Sequence, residues 1–316
     1  MTIEQVLSRV PVTQNVVFSL INVHHAFALA MLGANRETAT SLARLIGYDE
    51  EPDACLKLVK SKLDDFNQLD SINQSAAVFV NKRYKLKSGY VSSAAKELDS
   101  IIDSINVSSP KKAAAKINQW FEMQISGKIG MRKKIEALVG SRKIDSFVKP
   151  DFINALTLVI LASTTLFKGR WAAPFTIIED QTFHSSEGPV KTAFMRVKKR
   201  NNFSVFVSDD VTLVGIPYED DMMMTIAMPP EGKLDGFEQK IRTPNVLLDQ
   251  CRHQHGEVQV TMPMFSVKSK LDMKDIFTQL GHGVLFDKSV PQNYSRMTDK
   301  EVIISDAIHQ LVIFIY

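Results

Sequence analysis

Histidine, cysteine and serine side chains are the groups in this chain that could act as nucleophiles, bases or metal ligands. His24 and His25 stand at the start of a predicted helix. His253 and His255 lie in a polar loop. None is tied by spacing to a serine, cysteine or acid in a recognisable nucleophile motif. The pair in the loop could contribute to a metal site, but it has no evident third ligand. We therefore expect no catalytic site, no metal and no cofactor.

The two cysteines, Cys55 and Cys251, are too few for a disulfide scaffold or for a zinc site of the CxxC type. The sequence leaves open whether they pair with each other.

Four polar residues interrupt otherwise apolar segments, namely Ser19, Asn22, Ser163 and His309. A hydroxyl, an amide or an imidazole in a core must find a partner, because each unpaired group costs about 1–3 kcal/mol. We expect these four side chains to hydrogen-bond with one another.

The charged residues are nearly balanced, with 38 basic and 35 acidic side chains and a formal net charge of +3. No stretch interleaves lysines with aromatic residues, so the sequence predicts no nucleic-acid partner. No apolar run is long enough to span a membrane, and the N-terminus lacks the layout of a signal peptide. Either the protein stays inside the cell or a signal has been removed. Four glycosylation sequons, at Asn73, Asn106, Asn202 and Asn293, are compatible with secretion.

The longest β-rich run extends from Leu156 to Trp171 and predicts a central strand. It carries apolar residues on both faces and many β-branched side chains, which is typical of a strand buried on both sides. Lys168-Gly169 is expected to end it, and a buried helix of similar length is the alternative. Residues 301–316 predict another apolar strand.

The chain before Trp171 alternates between helical and strand patterns, and the chain after it is mostly strand. No internal repeat or linker interrupts it, so we predict one domain over residues 1–316. The predicted class is α+β, with antiparallel sheets and helices packed on one side. The main predicted elements are a β-type run over 15–22, helices over 52–69, 91–99, 110–127, 234–251 and 272–281, and a strand over 75–86.

Seven stretches stand in a recognisable order along nearly the whole chain. They are NVVFSLIN with the following helix through GANRETAT, AAVFVNKRYKL, INQWFEMQISGKI, LASTTLFKGRWAAPF, VGIPYEDDMMMTIAMPPEG, VQVTMPMFSVKSKLDMKDIFTQLG and ISDAIHQLVIFI. Their order resembles that of the serpins, the serine protease inhibitor superfamily, and the seven together identify the chain as a member of that family.

The resemblance implies the serpin fold, with a large antiparallel or mixed central sheet, further sheets and about eight or nine helices. By resemblance, Ser19, Asn22, Ser163 and His309 match the shutter, the cluster beneath the centre of the main sheet. Ser163 replaces an asparagine common there, and Leu20 replaces an expected proline. Trp171 matches the tryptophan of the breach at the top of the sheet.

Three lysines of the predicted helix over 52–69, namely Lys57, Lys60 and Lys62, resemble in position a helix that binds glycosaminoglycan in some serpins. A solvated helix face is the alternative interpretation, and the neighbouring Asp64 and Asp65 weaken the positive field.

An inhibitory serpin offers a scissile loop to a serine protease, and the cut loop then inserts as a strand between two central strands of the main sheet. The resemblance therefore implies a serine protease as partner and an extracellular location. It also predicts that residues 304–316 form the second central strand, followed by a hinge, the scissile loop and terminal strands.

The given sequence ends at Tyr316, before that loop, so no scissile bond can be named and the terminal strands are expected to be missing. Each Val, Leu or Phe left exposed would cost roughly 1.5–3 kcal/mol. We expect such a chain to be unstable, to self-associate through its incomplete sheet, or to need a C-terminal peptide partner.

Three explanations stay open: a disordered or cleaved loop, a separate C-terminal chain, or a truncated serpin. The predicted function is inhibition of serine endopeptidases. The alternatives are a non-inhibitory binding or chaperone-like serpin and, more remotely, a hydrolytic enzyme.

Overall fold

The computed structural model describes residues 2–10, 15–49, 51–126, 147–185, 188–197, 201–234, 237, 249, 251 and 254–315. The chain divides into two compact units. Unit 1 comprises Met1–Arg9, Asn15–Phe167 and Lys268–Val312, and unit 2 comprises Val10–Gln14, Lys168–Val267 and Ile313–Tyr316. One domain over residues 1–316 stays a prediction.

The seven α-helices whose bounds the structure describes belong to unit 1. Among them, every residue of α2 from Asn22 to Met31 is buried, including its polar residues Asn22, His24 and His25. No helix in the described ranges is long and apolar enough to cross a membrane. The predicted helix over 234–251 lies mostly outside the described residues. The seven helices are α1 (Ile3–Leu7), α2 (Leu20–Gly33), α3 (Arg36–Leu45), α4 (Pro52–Asn67), α5 (Ser88–Leu98), α6 (Pro110–Ser126) and α7 (Met273–Phe277).

Twelve strands form three sheets in the described part of the chain. The largest sheet has five strands in the order β11-β12-β3-β1-β2. It is mixed, because β1 runs parallel to β2 and antiparallel to β3. The strands are β1 (Ile72–Asn81), β2 (Ile101–Ile105), β3 (Val159–Phe167), β4 (Phe175–Ser185), β5 (Gly188–Val197), β6 (Asn201–Val207), β7 (Thr212–Pro217), β8 (Met223–Met228), β9 (His255–Val258), β10 (Thr261–Pro263), β11 (Phe265–Asp272) and β12 (Ile304–Ile315).

Helices cover both faces of the five-stranded sheet. On one face, Asn22 of α2 donates to the hydroxyl of Thr165 in β3 at 2.9 Å. On the other, the hydroxyl of Ser75 in β1 bonds Gln124 of α6 at 2.9 Å. We call these faces the α2 side and the α6 side. Because successive strand residues point to opposite faces, a continuous apolar strand such as β3 is needed between two helical layers.

Charged residues mark the two outer strands of this sheet. The ammonium groups of Lys268 and Lys270 in β11 lie over the rings of Phe147 and Phe152, at 4.3 and 5.6 Å. The opposite edge strand, β2, has five residues, and its Asp103 pairs with Lys116 at 2.7 Å. Short edge strands and edge charges both hinder the addition of further strands.

Unit 2 contains the other two sheets, a four-stranded one in the order β8-β7-β6-β9 and a three-stranded one in the order β10-β5-β4. A small core of Val211, Leu213, Phe237 and Cys251 packs against the first. Both cysteines of the chain, each within the described residues, are buried as thiols.

Most of the predicted element types that fall on described residues are right, but the β-type run over 15–22 and several boundaries are wrong. The central strand begins at Val159, because Leu156 is 66% exposed. The β-type run over 15–22 is not a strand. Its last three residues, 20–22, open α2, because the hydroxyl of Ser19 accepts from the backbone N–H of Asn22 at 3.4 Å and caps the helix.

Gly33, the last residue of α2, lies against the segment that precedes β12. A Cβ added there would sit 2.8 Å from Met297 Cε and 3.1 Å from Tyr90 Cε2. Gly89 in α5 provides a matched control, since nothing lies within 4 Å of a Cβ added to it.

We predict that Gly33→Ala destabilises the protein by about 1–3 kcal/mol through overpacking. Gly89→Ala should stabilise it by up to about 1 kcal/mol through helix propensity. Denaturant unfolding of both variants checks the difference. Equal effects of the same sign would contradict the close packing of Gly33.

Candidate functional site

The candidate site lies where β3 and β12 meet, a line of contact that we call the seam. The hydroxyl of Ser305 accepts from the backbone N–H of Leu158 at 2.8 Å. Further along, the hydroxyl of Ser163 lies 2.8 Å from His309 Nδ1. Both contacts advance in the same direction along the two strands, so β3 and β12 run parallel at the centre of the sheet.

The imidazole of His309 joins both strands to α2. Its Nε2 accepts from the backbone N–H of Ser19, the N-cap of α2, at 2.9 Å. Since Nε2 accepts, the ring proton of the neutral imidazole lies on Nδ1 and is donated to Ser163 Oγ. His309 is completely buried, and burial lowers its pKa from 6.5 to about 3. The ring is therefore neutral at physiological pH.

Asn22 completes this cluster without touching the imidazole. Its amide Nδ2 donates to the carbonyl oxygen of Thr164 at 2.6 Å and to the hydroxyl of Thr165 at 2.9 Å. Of the side-chain hydrogen bonds expected among the four polar residues, the one between Ser163 and His309 is confirmed. Ser19 contributes its backbone to His309 and its hydroxyl to Asn22. Their role as a shutter stays a prediction.

Two polar residues on the α6 side of the seam were missed by the sequence reasoning. Gln310 follows His309, Thr164 follows Ser163, and both are buried. The amide atoms of Gln310 and the hydroxyl of Thr164 have no hydrogen-bond partner among the described residues. Strand alternation was the available signal, because it places the residue after His309 on the opposite face.

Trp171, the predicted breach residue, lies in unit 2 and is half-buried. Its ring stacks on Tyr218, with centroids 4.3 Å apart and planes 17° apart, and the two residues form a β-bridge. Phe175 packs beside it at 5.3 Å. Burial raises the pKa of Tyr218, so its hydroxyl stays protonated. Its breach role stays a prediction.

The three lysines of α4 do not share one face. Lys57 and Lys60 lie about 60° apart around the helix, whereas Lys62 is about 140° from Lys57. Lys62 donates to the hydroxyl of Tyr48 at 3.2 Å, and Lys60 pairs with Asp64 at 3.3 Å. A surface hollow beside Lys57 and Lys60 also contains acidic Asp53 and Glu97. The candidate basic patch therefore consists of Lys57 and Lys60, with negative charges close by.

Among the other histidines that the sequence analysis singled out, His24 and His25 are buried, and His255 is exposed. His25 Nε2 lies 2.7 Å from the hydroxyl of Ser100, and His24 Nδ1 lies 3.4 Å from that of Tyr48. Burial lowers the pKa of His24 to about 3 and that of His25 to about 4. No three His, Cys, Asp or Glu side chains gather for a metal within the described ranges. His253 lies outside those ranges.

A family model described as serpin (serine protease inhibitor) matches residues 2–316. The chain therefore belongs to the serpin family, which confirms the predicted family and fold class. An uncharacterized serpin-like protein of Thermococcus kodakarensis is 26% identical over 315 residues, covering 94% of this chain and 66% of its own length.

Two solved serpin structures share the fold. Serpin48 of the insect Tenebrio molitor superposes with a TM-score of 0.80 at 20% identity, covering 98% of this chain and 81% of that one. Native protease nexin-1 with heparin gives a TM-score of 0.75 at 20% identity, covering 92% of this chain and 78% of that one. At such identities the likeness concerns the fold alone.

The buried imidazole makes stability depend on pH in a definite direction. Between pH 6.5 and about 3, the unfolded chain binds a proton at His309 that the folded chain excludes. The free energy of unfolding therefore falls as pH falls, by about 1 kcal/mol for each pH unit from this residue. Asp306 opposes it below pH 6, because burial raises its pKa to about 6 and favours the protonated folded form.

We predict that His309→Gln lowers stability at pH 7.5 by about 1–3 kcal/mol and makes its decline toward pH 3 shallower by about one proton. His24, His25 and Asp306 contribute equally to both proteins, so they cancel in the comparison. Urea unfolding at a series of pH values measures both effects. His184→Gln, which removes an exposed imidazole on β4, is the control, and an unchanged slope in His309→Gln would contradict the assignment.

Proposed function

We propose that this chain is the sheet-bearing part of a serine protease inhibitor that traps its target by accepting a strand at the seam. The observation that carries the proposal is the Ser163–His309–Ser19 chain of hydrogen bonds, which closes the seam through side chains. Family membership supports it, and the proposed location is extracellular. The chain spans 66% of the archaeal relative, so the activity of the whole protein is part of the proposal.

Opening the seam breaks the backbone hydrogen bonds between β3 and β12 as well as the Ser163–His309 bond, and an inserted strand can replace the backbone bonds. A hydrogen bond contributes about 0.5–1.5 kcal/mol net, so loss of the Ser163–His309 bond is a modest cost. A strand that enters between β3 and β12 gains a backbone ladder on both of its edges. Each additional paired residue then adds to the stability of the opened sheet, which provides a drive for insertion.

A second strand partner is proposed at the outer edge of unit 2. β8 is the terminal strand of its sheet, and its Met228 is 60% exposed. An exposed, apolar edge strand is suited to pairing with another strand. The strand that pairs with β8 could come from a C-terminal peptide or from a second copy of the chain. If the protein is a non-inhibitory, chaperone-like serpin, it could come from the client protein.

Glycosaminoglycan binding is a second candidate function, favoured by the heparin present with protease nexin-1. The patch that supports it here consists of Lys57 and Lys60, because Lys62 lies on another side of α4 and contacts Tyr48. Asp53 and Asp64 reduce its positive field, so strong salt dependence is expected.

We predict that the native protein, purified from its source, forms a covalent one-to-one complex with a trypsin-like or chymotrypsin-like serine protease. Inhibition by loop insertion captures an acyl-enzyme, so the complex should survive a denaturing gel. A protease whose active-site serine is blocked is the control. Cleavage without any adduct would favour the non-inhibitory alternative, and turnover of peptide or ester substrates would instead indicate an enzyme.

For heparin, we predict that a double variant with Lys57→Gln and Lys60→Gln elutes from a heparin column at lower salt than the parent protein. The reason is the loss of two neighbouring charges on one helix face. Lys62→Gln is the matched control and should leave elution nearly unchanged. Equal shifts for the control and the double variant, or no retention of the parent, would remove this candidate.

A further inference from the structure

Gln310 and Thr164 form a buried polar pair that the hydrogen bonding of the closed sheet does not use. Gln310 has no exposed surface and Thr164 is 2% exposed. Neither the amide oxygen nor the amide nitrogen of Gln310 has a partner among the described residues, and the same holds for the Thr164 hydroxyl. Buried polar groups in folded proteins are nearly always paired, so three unpaired atoms at one place require an explanation.

The register of the seam places these two residues together. The Ser163–His309 bond of 2.8 Å aligns β3 with β12 on the α2 side. One residue further along both parallel strands, Thr164 and Gln310 are level with each other and point to the opposite face. That face is the α6 side, because Ser75, the registered partner of Thr164 on β1, bonds Gln124 of α6.

We propose that Gln310 and Thr164 are specificity-determining residues for the strand that enters the seam, and that they select a guest with a hydroxyl or amide side chain at their level. This inference rests on the proposed insertion function and adds the chemistry of the guest to it. An inserted strand separates β3 from β12 by one further strand spacing, about 4.8 Å. Its side chain on the α6 side then lies between Gln310 and Thr164.

A guest threonine, serine, asparagine or glutamine can satisfy the pair. A hydroxyl donates to the amide oxygen of Gln310 and accepts from its amide nitrogen or from Thr164. A valine of the same shape as threonine fills the space but leaves all three atoms unpaired. Sites built to hydrogen-bond a polar group discriminate strongly against analogues that lack it.

The test uses two synthetic peptides of alternating alanine and valine between terminal lysines, with a core of twelve residues, the length of β12. They differ at one central position, which is valine in one peptide and threonine in the other. Insertion is followed by the rise in thermal midpoint and by native gel mobility. We expect the threonine peptide to bind the parent protein about tenfold more tightly.

Gln310→Leu combined with Thr164→Val should abolish that preference, because neither side chain then offers the guest hydroxyl a partner. The matched control is Gln74→Leu. Gln74 is also a glutamine of this sheet whose amide atoms are buried and unpaired, but it lies on β1, in register with Thr165 and away from the seam. Gln74→Leu should keep the tenfold preference. Leucine is close to glutamine in volume, and thermal unfolding will verify that both variants fold.

The outcomes separate the inference from the function on which it rests. If both peptides insert equally well into the parent, the seam opens but Gln310 and Thr164 do not select the guest. If the preference survives the combined Gln310→Leu and Thr164→Val substitutions, another residue binds the guest hydroxyl, and the inference is overturned. If neither peptide inserts into any variant, both the insertion function and the inference fail.

Discussion

The hydrogen bonds of one buried imidazole join three separate parts of unit 1. His309 on β12 accepts a hydrogen bond from the backbone N–H of Ser19, the N-cap of α2, and donates one to Ser163 on β3. A neutral ring is the form that can do both, and complete burial keeps it neutral. The entry of the chain into α2, the parallel pairing of the two central strands and the register of the seam are therefore coupled to the protonation of a single side chain.

The same register creates a contrast between the two faces of the sheet. On the α2 side, Ser163, His309 and the amide nitrogen of Asn22 have partners, whereas the amide oxygen of Asn22 has none among the described residues. On the α6 side, both amide atoms of Gln310 and the hydroxyl of Thr164 have none among these residues. The closed seam thus leaves one buried polar atom unpaired on the α2 side and three on the α6 side. Such an imbalance is compatible with a sheet whose closed form is not its most stable arrangement.

Much of this arrangement could be predicted from the sequence, and the reasons are physical. Burial of β3 on both faces follows from its continuous apolar pattern. Polar residues within apolar segments predict a buried network of hydrogen bonds. Pairing partners were harder to predict. Ser19 meets His309 through its backbone N–H, which has no sequence signature, and its cap changes a predicted strand into the first turn of α2. Lys62 was grouped with Lys57 and Lys60 by resemblance to other serpins, although helical rotation directs it toward Tyr48.

The charged edges of the five-stranded sheet have a consequence for how it can grow. Lys268 and Lys270 lie on the edge strand β11, and Asp103 of the short edge strand β2 forms an ion pair with Lys116. Charges at both edges of a sheet hinder the addition of further strands there, which is how fibrils grow. Under the proposed function, the other position at which a strand can enter this sheet is the seam between β3 and β12. A strand inserted there would separate Ser163 from His309 and break the hydrogen bond between them.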